Sequence, residues 1–273
     1  MTHIAGKNVL LTGASGGIGE YIARALAKQK ANVICVARSQ AALEKLVTEI
    51  EQAGGKAISI PFDISKVEEL PSLVEQVTQT IGSVDIVINN AAIEKYRPFQ
   101  DYSLDDIRST LTTNLISGME LTRLLLPDMI GKGSGHVVNI ASGSGKKGAP
   151  YNSVYSASKA GLIMWTDALR QELASSNVGV TVVCPGYTQA GMFLAFGLSA
   201  PKMARVSQPS DVANAILRAI EKNHGEVMLD GFLTKLLFSY IQLVPDFGDR
   251  LYRWIGLTKL NQTRAFNQMS GGK

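Results

Sequence analysis

The sequence predicts an α/β protein, a doubly wound parallel sheet forming one domain and followed by a C-terminal amphipathic helical extension. Three observations carry this reading. Short, almost wholly apolar runs alternate with longer stretches of helical spacing. Those runs lack the in-and-out alternation of a half-exposed strand, which implies burial on both faces. A glycine-rich turn stands directly after the first of them. With 273 residues the chain can bury one large core but not two full-sized ones, so residues 1–229 are expected as one unit and 230–273 as the extension.

The strands are expected at Asn8–Leu11, Asn32–Ala37, Ala57–Pro61, Asp85–Asn89, His136–Ala141 and Val178–Cys184, with a short edge strand near Glu226–Leu229. Between them, Ile18–Gln29, Gln40–Ala53, Glu68–Ile81, Leu104–Pro127 and Val154–Ser175 carry helical spacing, and right-handed crossovers then give a Rossmann-like sheet. Ser103 with Asp106 reads as a capping box, Gly54-Gly55 as a helix stop, and Ser210 after Pro209 as the cap of a helix reaching about Lys222. In the extension, Phe232, Leu233, Leu236, Leu237, Tyr240, Ile241 and Val244 recur at helical spacing until Pro245. A second short helix follows, with Phe247, Leu251, Trp254 and Ile255 on one face.

Composition narrows the function classes. Hydrophobic residues make up 45% and charged residues 18%, which excludes a disordered chain. The net charge of +4 is scattered, with no basic run longer than Lys146-Lys147, so no nucleic-acid partner is expected. Cys35 and Cys184 lie in apolar runs and read as buried thiols, which fits a reducing, cytoplasmic setting. His3, His136 and His224 lack metal-ligand spacing, and no metal is expected. Neither a signal peptide nor an apolar run approaching the roughly 20 residues that span a bilayer is expected.

The chemistry-bearing residues fall at strand ends. Thr12-Gly13-Ala14-Ser15-Gly16-Gly17-Ile18-Gly19 runs from strand to helix, where glycines permit a tight turn, close approach of a pyrophosphate and close helix packing. Asp63, Asn89-Asn90-Ala91-Ala92 and Ser142 end the third, fourth and fifth strands, and Tyr155-Ser156-Ala157-Ser158-Lys159 opens a helix. Tyr155 and Lys159 are four apart and share a helix face, so an ammonium can stabilise a phenolate; Ser142 is placed to hydrogen-bond a substrate oxygen. Taken singly, each also has an ordinary structural use: a strand-to-helix loop, a solvated helix face, a Ser/Gly turn.

Together with Asn114 and Pro185-Gly186, this order of motifs resembles the short-chain dehydrogenase/reductase family over about Lys7 to Leu229, with Ala92 and Gly143 as small departures from its usual pattern. The resemblance implies catalysis by Asn114, Ser142, Tyr155 and Lys159, with Lys159 also holding the nicotinamide ribose and Asn114 supporting a water-linked proton path. It implies a cofactor bound by Gly13, Ser15, Gly16, Gly17, Ile18, Gly19, Asp63, Ile64, Asn90, Ala91, Tyr155, Lys159, Pro185, Gly186 and Thr188, with Asp63 meeting the adenine; Asp63 could instead cap the following helix. Ala37 stands where an acidic residue would grip a ribose hydroxyl, and Arg38 follows, so NADP is expected, with Arg38 and Ser39 on its 2′-phosphate.

The expected activity is reduction of a ketone or aldehyde, or oxidation of the matching alcohol, on a hydrophobic small molecule. The rival is an NADP-binding regulatory protein without turnover. Met192, Phe193, Leu194, Phe196, Leu198 and Met203, around Gly191 and Gly197, are expected to select an apolar substrate or to pack as a short helix. The extension allows three readings: a cover over the substrate, an oligomer contact, or a peripheral membrane contact. A homodimer or homotetramer is implied by the family through the two long helices.

Overall fold

In a computed structural model of the chain, the described residues are 2–195, 200, 205–229 and 232–270. Among them, strands β1 (Asn8–Thr12), β2 (Asn32–Ala37), β3 (Lys56–Pro61), β4 (Ile86–Asn89), β5 (Gly135–Ile140) and β6 (Val178–Cys184) form one sheet. Its edge strand, Glu226–Met228, comes after two short strands, β7 (Tyr187–Thr188) and β8 (Val206–Ser207), and is therefore β9. The sheet order is β3-β2-β1-β4-β5-β6-β9 with every pairing parallel, so the order reverses between β1 and β4. The expected strand positions hold to within one residue.

Helices cover the two faces. On one side α1 (Gly19–Lys28), α2 (Gln40–Gln52) and α8 (Pro209–Lys222) pack Ile22, Leu26, Leu43, Ile216 and Ile220 against Val9, Leu11, Val33 and Ile88. On the other, α3 (Leu70–Ile81), α5 (Ser117–Gly131) and α6 (Ser153–Glu172) pack Leu73, Val77, Leu121, Leu125 and Leu169 against Leu10, Ile34, Val87 and Val137. Successive residues of β1 thus serve opposite cores, which is why that strand shows no polar alternation. Each such buried Leu or Ile contributes about 2 kcal/mol by removal from water.

The long helix expected over Leu104–Pro127 is two helices. Between α4 (Leu104–Leu111) and α5 lies a π-turn at Thr112–Ile116, and α5 runs past Pro127 to Gly131. Proline is tolerated there because the carbonyl it frees, on Arg123, belongs to an exposed turn that water can reach. Ser103 and Asp106 form the expected capping box. At α8 the cap is Gln208, reciprocated by Asp211, and Ser210 sits inside the first turn because Pro209 is already the first helical residue.

The extension forms α9 (Phe232–Leu243), α10 (Pro245–Trp254) and α11 (Leu257–Met269), after the short α7 (Met192–Ala195). Pro245 both ends α9 and opens α10. The inner faces of α9 to α11 turn toward the carboxyl ends of the strands, whereas Leu243 and Trp254 on the outside are 82% and 76% exposed. The expected unit boundary at Asp230 and the substrate-segment residues Phe196, Gly197, Leu198 and Met203 lie outside the described residues. No helix among the described residues is long and apolar enough to cross a membrane.

Candidate active site

A cavity of about 1260 Å³ opens over the strand ends where the sheet order reverses, the usual ligand position in such sheets. Its wall contains Gly13, Ser15, Gly16, Gly17, Ile18, Arg38, Ser39, Asp63, Ile64, Asn90, Ala91, Tyr155, Lys159, Pro185, Gly186 and Thr188, together with Ser142. Of the residues expected around the cofactor, Gly19 is absent from the wall. It packs the helix instead, since a Cβ there would lie 2.0 Å from the Gly13 carbonyl oxygen.

The dinucleotide end is shaped by backbone. Gly13 has φ of +65° and would, with a Cβ, meet Ala91 Cα at 2.8 Å, while nothing stands within 4 Å of the Cβ position of Gly16. The chain therefore leaves room for a pyrophosphate above the turn. Thr12, whose own role the sequence does not disclose, locks this corner: its hydroxyl accepts from the amides of Asn90 (3.0 Å) and Ala91 (3.1 Å). Asn90 returns the bond from Nδ2 to the carbonyl of Thr12. Asp63 does not cap α3; its Oδ1 accepts from the amide and hydroxyl of Ser65 in a local turn. Ser39 N-caps α2 through the Ala42 amide, and Arg38 is exposed at the rim without an ion pair among the described residues. An exposed guanidinium next to an alanine fits the 2′-phosphate of NADP better than a bare ribose hydroxyl.

At the other end of this wall, Tyr155 and Lys159 lie on the buried face of α6. Lys159 Nζ donates to the Ile140 carbonyl (2.8 Å) and stands 5.6 Å from the Tyr155 ring centre. Burial pushes the lysine down to about 8, with Glu94 pulling the other way. Burial, and then Glu94, push the Tyr155 phenol above its ordinary range, against a hydrogen bond from Ser142. Desolvation is the largest influence on this phenol in the protein itself, and the depression expected of it needs both the lysine and a positive nicotinium ring beside it. Ser142 Oγ also accepts from the Ser144 amide at 3.2 Å, which orients the hydroxyl.

Asn114 is buried in the π-turn and does not reach the cavity wall. Its Oδ1 accepts from the Ile93 amide (2.8 Å), and its Nδ2 donates to the Ile93 carbonyl (2.9 Å) and to Ser158 Oγ (3.1 Å). The wider turn faces this side chain inward, where a regular helix would present a different residue. Asn114 thus ties the loop after β4 to the helix that carries Tyr155 and Lys159.

That loop introduces a cluster that the sequence did not reveal. Glu94 is half-buried and accepts from Asn152 Nδ2 at 2.5 Å and from Tyr96; desolvation pushes its carboxyl upward. Arg264 of α11 donates from Nη1 to the Tyr96 hydroxyl (3.1 Å), and Gln268 accepts from the Tyr96 amide (2.7 Å). Of the expected substrate segment, Met192 and Phe193 line the cavity and Leu194 is exposed. The remaining wall is largely apolar, with Leu237, Phe238 and Ile241 of α9 and Leu251, Tyr252 and Ile255 at α10. The extension is therefore part of the cavity.

A doubly wound sheet with a glycine turn, and a serine, tyrosine and lysine converging on the adjoining wall, defines a dinucleotide-dependent oxidoreductase. The short chain dehydrogenase family model matches residues 7–197, and the chain belongs to that family. It is 52% identical to the "Ketoacyl reductase HetN" of Nostoc sp. strain PCC 7120 over its whole length and 97% of that protein. It is 32% identical to a "Dehydrogenase/reductase SDR family protein 7-like" of Anopheles gambiae, over 96% of this chain and 86% of that one. Among solved structures, an actinorhodin polyketide ketoreductase variant with NADPH superposes with a TM-score of 0.78 at 30% identity, over 85% of this chain and 98% of that one. A gluconate 5-dehydrogenase homologue of Beutenbergia cavernae with NADP gives 0.77 at 29% identity, over 84% and 98%.

Proposed function

We propose that the protein is an NADPH-dependent reductase of a ketone or aldehyde carried on a hydrophobic molecule. The carrying observation is the convergence of Ser142, Tyr155 and Lys159 on the cavity wall that adjoins the glycine turn, with Lys159 Nζ 5.6 Å from the Tyr155 ring centre. The Tyr155 phenol is then placed to give its proton to a carbonyl oxygen, which suits reduction. NADPH, when bound, supplies the hydride; Arg38 and Ser39 hold its 2′-phosphate, and Lys159 its nicotinamide ribose. Tyr155 delivers its hydroxyl proton to the carbonyl oxygen, Ser142 hydrogen-bonds that oxygen as charge develops, and the Lys159 cation stabilises the phenolate left behind. Asn114 keeps these groups in register through Ile93 and Ser158. The apolar wall contributed by α9 and α10 supports a hydrophobic substrate, and the exposed Leu104, Ile116 and Met164 support self-association through α4 to α6.

The test follows NADPH oxidation against carbonyl compounds graded from small and polar to long-chain apolar. Apolar members should turn over, and Tyr155→Phe should lower kcat by about 10²- to 10⁴-fold, far more than it weakens NADPH binding. Tight NADPH binding with no turnover on any member would favour a regulatory protein that only binds the cofactor.

A further inference from the structure

The apolar end of the cavity contains one feature that an apolar ketone does not use. Arg264 is only 3% exposed, yet it makes no ion pair among the described residues. Its Nη1 is engaged by the Tyr96 hydroxyl and by Asn261 Oδ1 (3.2 Å). The Tyr96 and Tyr187 rings pack on the guanidinium, with centres 5.3 and 5.6 Å from Cζ. The other two nitrogens, Nε and Nη2, meet no acceptor at good hydrogen-bond geometry among the described residues, although the Tyr187 hydroxyl lies near the guanidinium. A buried cation with donors unmade is costly, and such a group calls for a partner.

The pair left over decides what that partner is. Nε–H and Nη2–H lie on one edge of the guanidinium and point the same way, a fork whose spacing matches the two oxygens of a carboxylate. A lone carbonyl oxygen would leave one donor of the fork unmet. Charge agrees with geometry. The cavity wall carries Arg38, Lys159, Arg205 and Arg264 against Asp63 and Glu94. With Arg38 and Asp63 at the dinucleotide end, three cations face one carboxylate in the remainder. Glu94 feels the Arg264 charge and accepts from the Tyr96 hydroxyl, but forms no ion pair with the guanidinium among the described residues.

We propose that the Nε–Nη2 edge of Arg264 is a carboxylate-binding subsite, and that the substrate class is an oxo-carboxylic acid whose apolar body lies along α9 and α10. This deepens the reductase reading above and rests on it for the reaction, but not for binding. Arg264 is then a specificity residue supplied by the extension, which ties the last helix of the chain to substrate choice.

The experiment is calorimetric titration of the full-length protein, saturated with NADP⁺, with octanoate and with octanamide, its uncharged isostere. Octanoate should bind the unaltered protein about tenfold tighter or more. Arg264→Met, which keeps the length and loses the fork, should abolish that preference while octanamide affinity stays put. Arg264→Lys, which keeps the charge alone, should retain only a few-fold preference. A residue that merely pins α11 would lower Tm in these variants without moving the octanoate-to-octanamide ratio. Equal binding of the two ligands by the unaltered protein overturns the proposal, as does a preference that survives Arg264→Met. Should Arg264→Met fail to fold, the unaltered protein and Arg264→Lys still give the ratio. Because nothing is turned over, a protein without reductase activity leaves this result intact, and a failure here leaves the reductase reading standing.

Discussion

The dinucleotide end of the cavity is walled by backbone at the tips of β1, β2 and β4, where Gly13 nearly touches Ala91 and Thr12 bridges two strands. The substrate end is walled by side chains drawn from the loop after β4 and from α9 to α11, which are more than 130 residues apart in sequence. Latches hold it: Gln268 on the Tyr96 amide, Gln242 on the Lys146 carbonyl, Lys147 on Asp249. A wall of backbone cannot yield to an added atom, whereas a wall of side chains can be retuned one contact at a time. The first end should therefore be intolerant and the second adjustable.

The largest effect is expected where an atom is forced into the rigid end. Gly19→Ala puts a Cβ 2.0 Å from the Gly13 carbonyl oxygen, and neither backbone can move without disturbing the turn. It should cost about 3 kcal/mol of stability, read as a lowered urea midpoint, whereas Thr234→Ala in the substrate wall should stay within about 0.5 kcal/mol. Equal losses would erase the distinction. Next in size is Arg38→Ala at the same end: losing a charge-assisted contact should weaken NADPH binding about 10- to 100-fold and leave NADH binding unchanged, by fluorescence titration. Retained NADPH affinity would remove Arg38 from the phosphate.

The two ends also differ in how far the sequence discloses them. Strands buried on both faces are unbroken apolar runs, and Tyr155 and Lys159 share a helix face by spacing alone, so the dinucleotide end and the proton donor are legible. The π-turn at Thr112–Ile116 is not, because neither composition nor periodicity distinguishes it from the helices it joins. Nor is α11. Its buried positions include Asn261 and Arg264 beside Leu257 and Ala265, so the stripe facing the protein is half polar and carries no hydrophobic period. Glu94 and Tyr96 follow the Asn-Asn-Ala-Ala run in what reads as an ordinary loop, and only their meeting with Arg264 gives them meaning.

A third prediction probes the junction of the two ends. Reduction needs Lys159 charged beside Tyr155, and Lys159 titrates at about 8. Being a cation with a depressed value, it is charged below that pH, so kcat should be level from pH 6 to 7 and fall about tenfold per unit well above 8. Glu94 at the substrate end supports that charge, so Glu94→Gln should move the falling limb to lower pH. An unmoved limb would mean that Glu94 is already neutral in the folded protein, which its raised carboxyl pKa also allows.

The smallest effect is expected from the latch between the Ser142 loop and the cover. Lys147 Nζ reaches Asp249 Oδ1 at 2.7 Å and the Pro245 carbonyl at 3.3 Å, and its stem packs where Gly248 lacks a Cβ. Asp249 is more than half exposed, and such surface pairs contribute about 0 to 1 kcal/mol. Lys147→Ala should therefore raise KM for apolar substrates only a few-fold, through looser seating of α10, with kcat and NADPH affinity unchanged. A fall in kcat would mean that the cover positions Ser142 through Lys146 and Lys147, and the adjustable end of the cavity would then reach into the chemistry itself.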